Sequence, residues 1–245
     1  MKTLATALTA AALLLPSLAA AGTSVHHIRF LSDADHGLRQ VEIEGRVGFG
    51  ADETSIASLA DDASVLLVTE DARFEARPGA DGRPQLSLTI DGEPRTAAEA
   101  ARWCADVLPI ACRETAVAFD TRVRAAYQRD GAAGVHHLLD GIRSPYAARL
   151  HASAFLAMDG LTDAEIAATL DHVAVSVSDD QERAGLLYEA VGLYAARPAI
   201  RTSFLACLDG MASDVERHRF TRNVFGKDAL EAGEVPVLAV DPSGC

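Results

Sequence analysis

Apolar side chains follow two rhythms along this chain: alternation in roughly the first hundred residues, then recurrence every three or four positions. In residues 41 to 49, Val41, Ile43, Val47 and Phe49 face one way and Glu42, Glu44 and Arg46 the other, which predicts a half-buried strand. A second run, residues 64 to 69, holds Val65, Leu66, Leu67 and Val68, and a third alternates Leu86, Leu88 and Ile90 with Ser87 and Thr89. Pro78-Gly79 and Asp81-Gly82 punctuate the interval, so residues 73 to 77 and 85 to 91 predict a hairpin with a long loop. The region reads as a small antiparallel sheet. Asp52-Glu53 and Asp61-Asp62 fall in its turns and read as solvated acidic loops, because no Asp-x-Asp-x-Asp-Gly run gathers oxygen ligands for calcium.

The second rhythm repeats at about 34 residues. Counted from Ser144 and Ser178, Ile166 matches Ile200, Leu170 matches Phe204, Val173 matches Cys207 and Val177 matches Met211. Steps of four, three and four trace one helical face. Such a unit holds two helices, too few to bury an apolar face alone, so units must stack on neighbours.

Helix starts are marked by Ser/Thr-x-x-Glu/Gln spacings at Thr96 with Glu99, Thr162 with Glu165, Ser178 with Gln181 and Ser213 with Glu216, each a potential capping box. Ser144 is followed by Pro145, which suits a first helical position. With breaks at Gly131, Gly160 and Pro198, helices are expected near 97–117, 121–129, 132–142, 145–158, 163–175, 179–194, 198–211 and 214–225. The expected fold is α+β: an acidic antiparallel β module (22–94), then a HEAT-like stack of antiparallel helix pairs (95–226), then an acidic tail (227–245).

The first 21 residues change the compartment. Met1-Lys2-Thr3, an apolar run to Leu15 and small residues up to Ala21 form a secretory signal peptide cleaved before Gly22. The run is shorter than the roughly 20 apolar residues of a membrane anchor. The chain is therefore expected to be exported, periplasmic or secreted, with no transmembrane span once cleaved.

Charge then narrows the partners. The sequence has 35 acidic and 22 basic side chains, and its only lysine after Lys2 is Lys227. Nucleic acids and anionic membranes both need basic footprints, so neither is expected as a partner. The imbalance is uneven: residues 22–94 carry 14 acidic and 6 basic groups, residues 95–227 carry 17 and 15. An arginine-studded, nearly neutral helical part suits ion-paired helix faces.

Cys104, Cys112, Cys207 and Cys245 raise the question of disulfides in an oxidising compartment, with pairing open. Cys104 and Cys112 would stand about 12 Å apart on an unbroken helix, so pairing them needs a break, which Pro109 could supply. The alternative is that the cysteines are small core residues, as Cys207 in the place of Val173 suggests.

Ser178-Asp179, Ser213-Asp214, the Ile142-x-Ser144 and Met211-x-Ser213 steps, and Trp103 with Leu108-Pro109 resemble a known pattern. It is that of the extracytoplasmic β-plus-helical-repeat segments beside bacterial antibiotic-sensing membrane zinc peptidases. The likeness covers residues 41 to 225. Asp180 and Val215 stand where that family has an aromatic residue, and its peptidase His-Glu-x-x-His helix is absent. The resemblance implies an exported sensor-like or partner-binding module without proteolytic activity.

No catalytic or metal-binding residues emerge, and no cofactor is expected. No Gly-x-Ser-x-Gly elbow, phosphate-cradling loop or Cys-x-x-Cys pair occurs. The paired histidines His26-His27 and His136-His137 lack the spacing of three or four that lets two helical side chains share an ion. Arg149, Arg183 and Arg217 recur at 34-residue intervals, and they are the candidate binding surface, a ladder for anionic partners. Ion pairing within and between helices is the competing explanation. The expected function is non-enzymatic binding of a protein or peptide partner in the cell envelope. An envelope enzyme with a site between sheet and helices, and a structural subunit of a membrane-associated complex, are the alternatives.

Overall fold

The structure, a computed structural model, describes residues 22–24, 28–31, 37–50 and 53–226. The signal segment, the acidic tail, His26-His27, Asp52 and Cys245 lie outside the described residues. Strands β1 (Gly22–Ser24), β2 (Ile28–Leu31), β3 (Leu38–Glu44), β4 (Arg46–Phe49), β5 (Ile56–Leu59), β6 (Ser64–Thr69), β7 (Ala72–Pro78), β8 (Pro84–Ile90) and β9 (Glu93–Pro94) form two antiparallel sheets. One is ordered β1-β4-β5 and the other β2-β3-β6-β7-β8-β9. The fold is α+β.

Alternation builds the larger sheet. Val41 pairs with Leu67, Leu67 with Phe74 and Phe74 with Leu88, giving a buried row across four strands on one face. The expected single strand over residues 41 to 49 is instead two strands in different sheets. Gly45 separates them at φ 70°, and a Cβ there would lie 2.9 Å from the Ala63 backbone. Only glycine turns the chain so sharply at that contact.

Helix α1 (Ala97–Glu114) begins at the expected Thr96–Glu99 capping box and packs on β8. It runs unbroken through Pro109, as the helix expected over 97–117 requires, and so lacks the break that a Cys104–Cys112 bridge would need. Proline inside a helix costs about 3 kcal/mol. Cys104, Leu108, Ala111 and Cys112 are all buried against the sheet, and fully burying one large apolar side chain returns about 1.5–3 kcal/mol. Trp103 stacks on Phe74. Although it opens the helical half of the sequence, α1 thus shares the apolar core of the sheets.

The second core begins beyond it. Helices α2 (Phe119–Asp140), α3 (Pro145–Leu156), α4 (Asp163–Ser176), α5 (Asp180–Ala196), α6 (Arg201–Asp209) and α7 (Asp214–Phe225) pack in two layers, α2 on α4 on α6 and α3 on α5 on α7. The matched repeat positions Ile166, Leu170, Val173 and Val177, and Ile200, Phe204, Cys207 and Met211, are all buried.

Caps follow the pattern with one correction. Thr162 and Glu165 form a reciprocal box, and Ser144 and Ser213 accept from the amides of Ala147 and Glu216. Ser178 does not cap α5. Asp179 does, accepting from the Glu182 amide at 2.9 Å. Asp179-x-x-Glu182 has the same spacing as a Ser-led box, and a carboxylate is the stronger acceptor.

Candidate functional site

A cleft rich in arginine is made by a glycine. Gly131 has φ 62° and ψ −154°, outside the helical region, so α2 is two arms hinged there, at the break expected from sequence. The arms close on each other at Gly134, where a Cβ would lie 2.6 Å from the Ala126 carbonyl oxygen. Beside that contact lies a cleft of about 570 Å³. The first arm lines it with Thr121, Arg122, Ala125, Ala126 and Arg129, the second with His137, Leu138 and Asp140. Arg113 from α1 and Glu53 from the loop between β4 and β5 complete the lining.

Arg122 is the best-held cation in the cleft. Its Nε and Nη2 donate to the two carboxylate oxygens of Glu53 at 3.0 and 2.7 Å, a forked pair joining the β module to the helices. Nη2 also donates to Val117 O at 2.8 Å, and Nη1 to His151 Nε2 at 2.8 Å. His151 lies fully buried on α3, with Nδ1 2.7 Å from Ala147 O. A carbonyl only accepts, so Nδ1 carries the proton and Nε2 keeps the lone pair that receives Arg122. Burial pushes the His151 pKa down to about 4; the Ala147 carbonyl acts in the opposite sense, and Arg122 and Arg113 add to the depression. The imidazole is neutral near pH 7.

Arg113 is placed by the end of α1. Its neighbour Glu114 is 2% exposed and accepts from the Arg143 and Ser144 amides at 3.0 and 2.8 Å, which fixes the chain entering α3. Arg113 Nε reaches Glu114 at only 3.5 Å, and its guanidinium lies against Gly141. Two left-handed alanines, Ala116 (φ 57°) and Ala118 (φ 54°), form the tight turn between α1 and α2. Arg129, at the hinge end, is 66% exposed and pairs with Asp130. Three arginines and a histidine thus meet two carboxylates, Glu53 and Asp140, in a chain whose overall charge is −13.

The candidate arginine ladder is not an open surface. Arg183 is 5% exposed: its Nε and Nη2 donate to Val177 O and its Nη1 to Gly210 O, so it staples the C-terminal ends of α4 and α6. Arg217 repeats the device, donating to Met211 O and pairing with Asp214. A cation at a helix C-terminus is electrostatically favoured. Arg149 instead crosses from α3 over Gly185 to Glu182 and Glu189 at 2.7 and 2.6 Å.

The thiols of Cys104, Cys112 and Cys207 are unpaired and buried, so the disulfide alternative does not hold among them. Burial raises them to about 11, 12 and 11. His136 bonds Thr169 and stacks on His172, while His137 is exposed at the cleft, so the adjacent pair faces two ways. Among the described residues no group of three or more His, Cys, Asp or Glu is placed to hold a metal ion. A smaller cleft of about 450 Å³ lies between α3 and α5, with Glu189 and Arg197 as opposed charges.

Sequence reasoning did not single out Arg113, Arg122 or Arg129. Arg122 and Glu53 are 69 positions apart and Arg122 and His151 29. The Gly131 break was the one signal of a hinge. The cleft gathers Arg113, Arg122, Arg129 and His137 beside the Thr121 hydroxyl and the Glu53 and Asp140 carboxylates, donors that suit an anionic group. No family model matches the chain, and no curated protein or solved structure does either.

Proposed function

We propose that this chain is an exported, non-enzymatic binding module of the cell envelope that takes an anionic group of a protein or peptide partner in the α2 hinge cleft. The observation that carries this reading is the gathering of Arg113, Arg122 and Arg129 around one cavity in an acidic protein. A cavity of that size accepts a few side chains or a small ligand. Planar guanidinium groups suit carboxylates. The stacked two-layer helices, which the HEAT-like reading would explain, supply a rigid frame for the cleft. Export rests on the signal-peptide pattern of the first 21 residues, and a sensor-like role on the resemblance described above.

The test uses the full exported chain as bait in envelope extract, beside an Arg113→Ser/Arg129→Ser variant. A partner retained by the first and lost from the second is expected. Identical profiles for the two proteins would refute the cleft as the binding site. Mass spectrometry of the mature amino terminus checks export, which predicts Gly22 as the first residue.

A further inference from the structure

We propose that the hinge cleft recognises a carboxylate of an acidic peptide segment, and that Glu53 is a built-in latch occupying the Arg122 fork until that carboxylate displaces it. This rests on the reading of the cleft as the binding site and names its ligand class.

The fork is set up independently of its present occupant. Val117 O and His151 Nε2 each hold the Arg122 guanidinium at 2.8 Å. The His151 acceptor is itself fixed by the bond from its Nδ1 to Ala147 O. When Glu53 leaves, Nε and Nη2 therefore remain aimed into the cleft with two donors in carboxylate geometry. The group already seated there is a carboxylate, which identifies the complementary chemistry.

Glu53 has the attributes of a displaceable occupant. It stands on a loop rather than within a strand, its backbone is left-handed (φ 58°), and its side chain is 24% exposed at the cleft. A side-chain-bearing residue is disfavoured at that φ, so release relieves a local strain. Arg113 and Arg129 stand at the same cleft, and neither has a forked carboxylate partner: Arg113 meets Glu114 at 3.5 Å, Arg129 meets Asp130 through Nε. They suit further carboxylates of the same segment, while Ala125, Ala126 and Leu138 offer an apolar floor to its methylenes.

The probe is a fluorescein-labelled peptide of alternating Glu and Asp, followed by anisotropy on the full exported chain, with inorganic phosphate as competitor. If the latch is shut nine-tenths of the time, Glu53→Gln should bind the peptide about tenfold more tightly than the wild type. Arg129→Ser should bind it more weakly. Hydrogen exchange on the wild-type chain supplies a readout that needs no variant: adding peptide should speed exchange of the Glu53 amide, which donates to Gly50 O in the closed loop. Peptide binding that Arg129→Ser weakens, but with Glu53→Gln no tighter and loop exchange unchanged, would overturn the latch and leave the binding site standing. No peptide binding to any form, or competition by phosphate at lower concentration than peptide, would overturn the carboxylate class. Failure of the cleft reading itself is distinguished by the arginine variant in the extract experiment.

Discussion

Arg122 donates from Nη1 to Nε2 of His151 across 2.8 Å, so a cation and an unexposed imidazole share one hydrogen bond. The pairing requires the imidazole to be neutral, because a protonated ring has no acceptor. It ties the stability of the α2–α3 contact to pH.

In the folded protein His151 titrates near 4, against an ordinary value of 6.5. Below pH 6.5 the unfolded chain takes up a proton that the folded chain refuses, so stability falls as pH drops from about 6.5 to about 4 and the effect levels off below. The depression corresponds to roughly 3 kcal/mol. Urea unfolding across this window should show that slope, and His151→Gln should flatten it. An equal slope in the variant would remove His151 as the cause.

Exchanging the caps separates two neighbouring residues. Asp179→Ala should cost about 0.5–2 kcal/mol, as should Ser213→Ala, because each removes an acceptor from a helix-start amide. Ser178→Ala should change stability little, since its side chain does not cap α5. Denaturant midpoints for the three variants decide the matter; a larger loss from Ser178 than from Asp179 would return the cap to the serine.

Gly134→Ala tests the closed end of the cleft. The new Cβ would lie 2.6 Å from Ala126 O and 2.8 Å from Asp130 Cβ, and backbone cannot step aside as a side-chain tip can. A loss of about 1–3 kcal/mol is expected from overpacking. Gly192→Ala, also within a helix but with open space around it, should be neutral or mildly stabilising. Comparable thermal midpoints for the two variants would show that the arms do not meet as described.

The three buried thiols should be inert. With values near 11, 12 and 11 and no exposed surface to speak of, Cys104, Cys112 and Cys207 should not react with a disulfide reagent at pH 8 in the native protein. In a Cys245→Ser background, labelling should await denaturation and then report three thiols. Rapid native labelling of any of them would contradict their burial.

Several elements were legible because their signals are local. Thr96-x-x-Glu99 and Thr162-x-x-Glu165 are complete boxes within four residues, and Gly131 breaks a helix through its own φ. Ser178 misled because Asp179 offers the same spacing one residue later. The helix expected over 97–117 does run through Pro109, whose cost is met by burial against a sheet more than ten residues away in sequence. The arginine positions were visible, but Arg183 and Arg217 reach carbonyls at the ends of other helices and Arg149 reaches carboxylates on α5, partners that no spacing rule names.

Periodicity and caps in the amino-acid order settle which segments are strands or helices and which faces are apolar, since both depend on contacts within a few residues. The placement of α1 on the sheet, the turn at Gly45 between two sheets, and the meeting of Glu53, Arg122 and His151 were decided by packing. Those contacts join residues 29 and 69 positions apart, where many pairings satisfy the same local pattern. Only the folded chain, by burying one arrangement and excluding the others, selects among them.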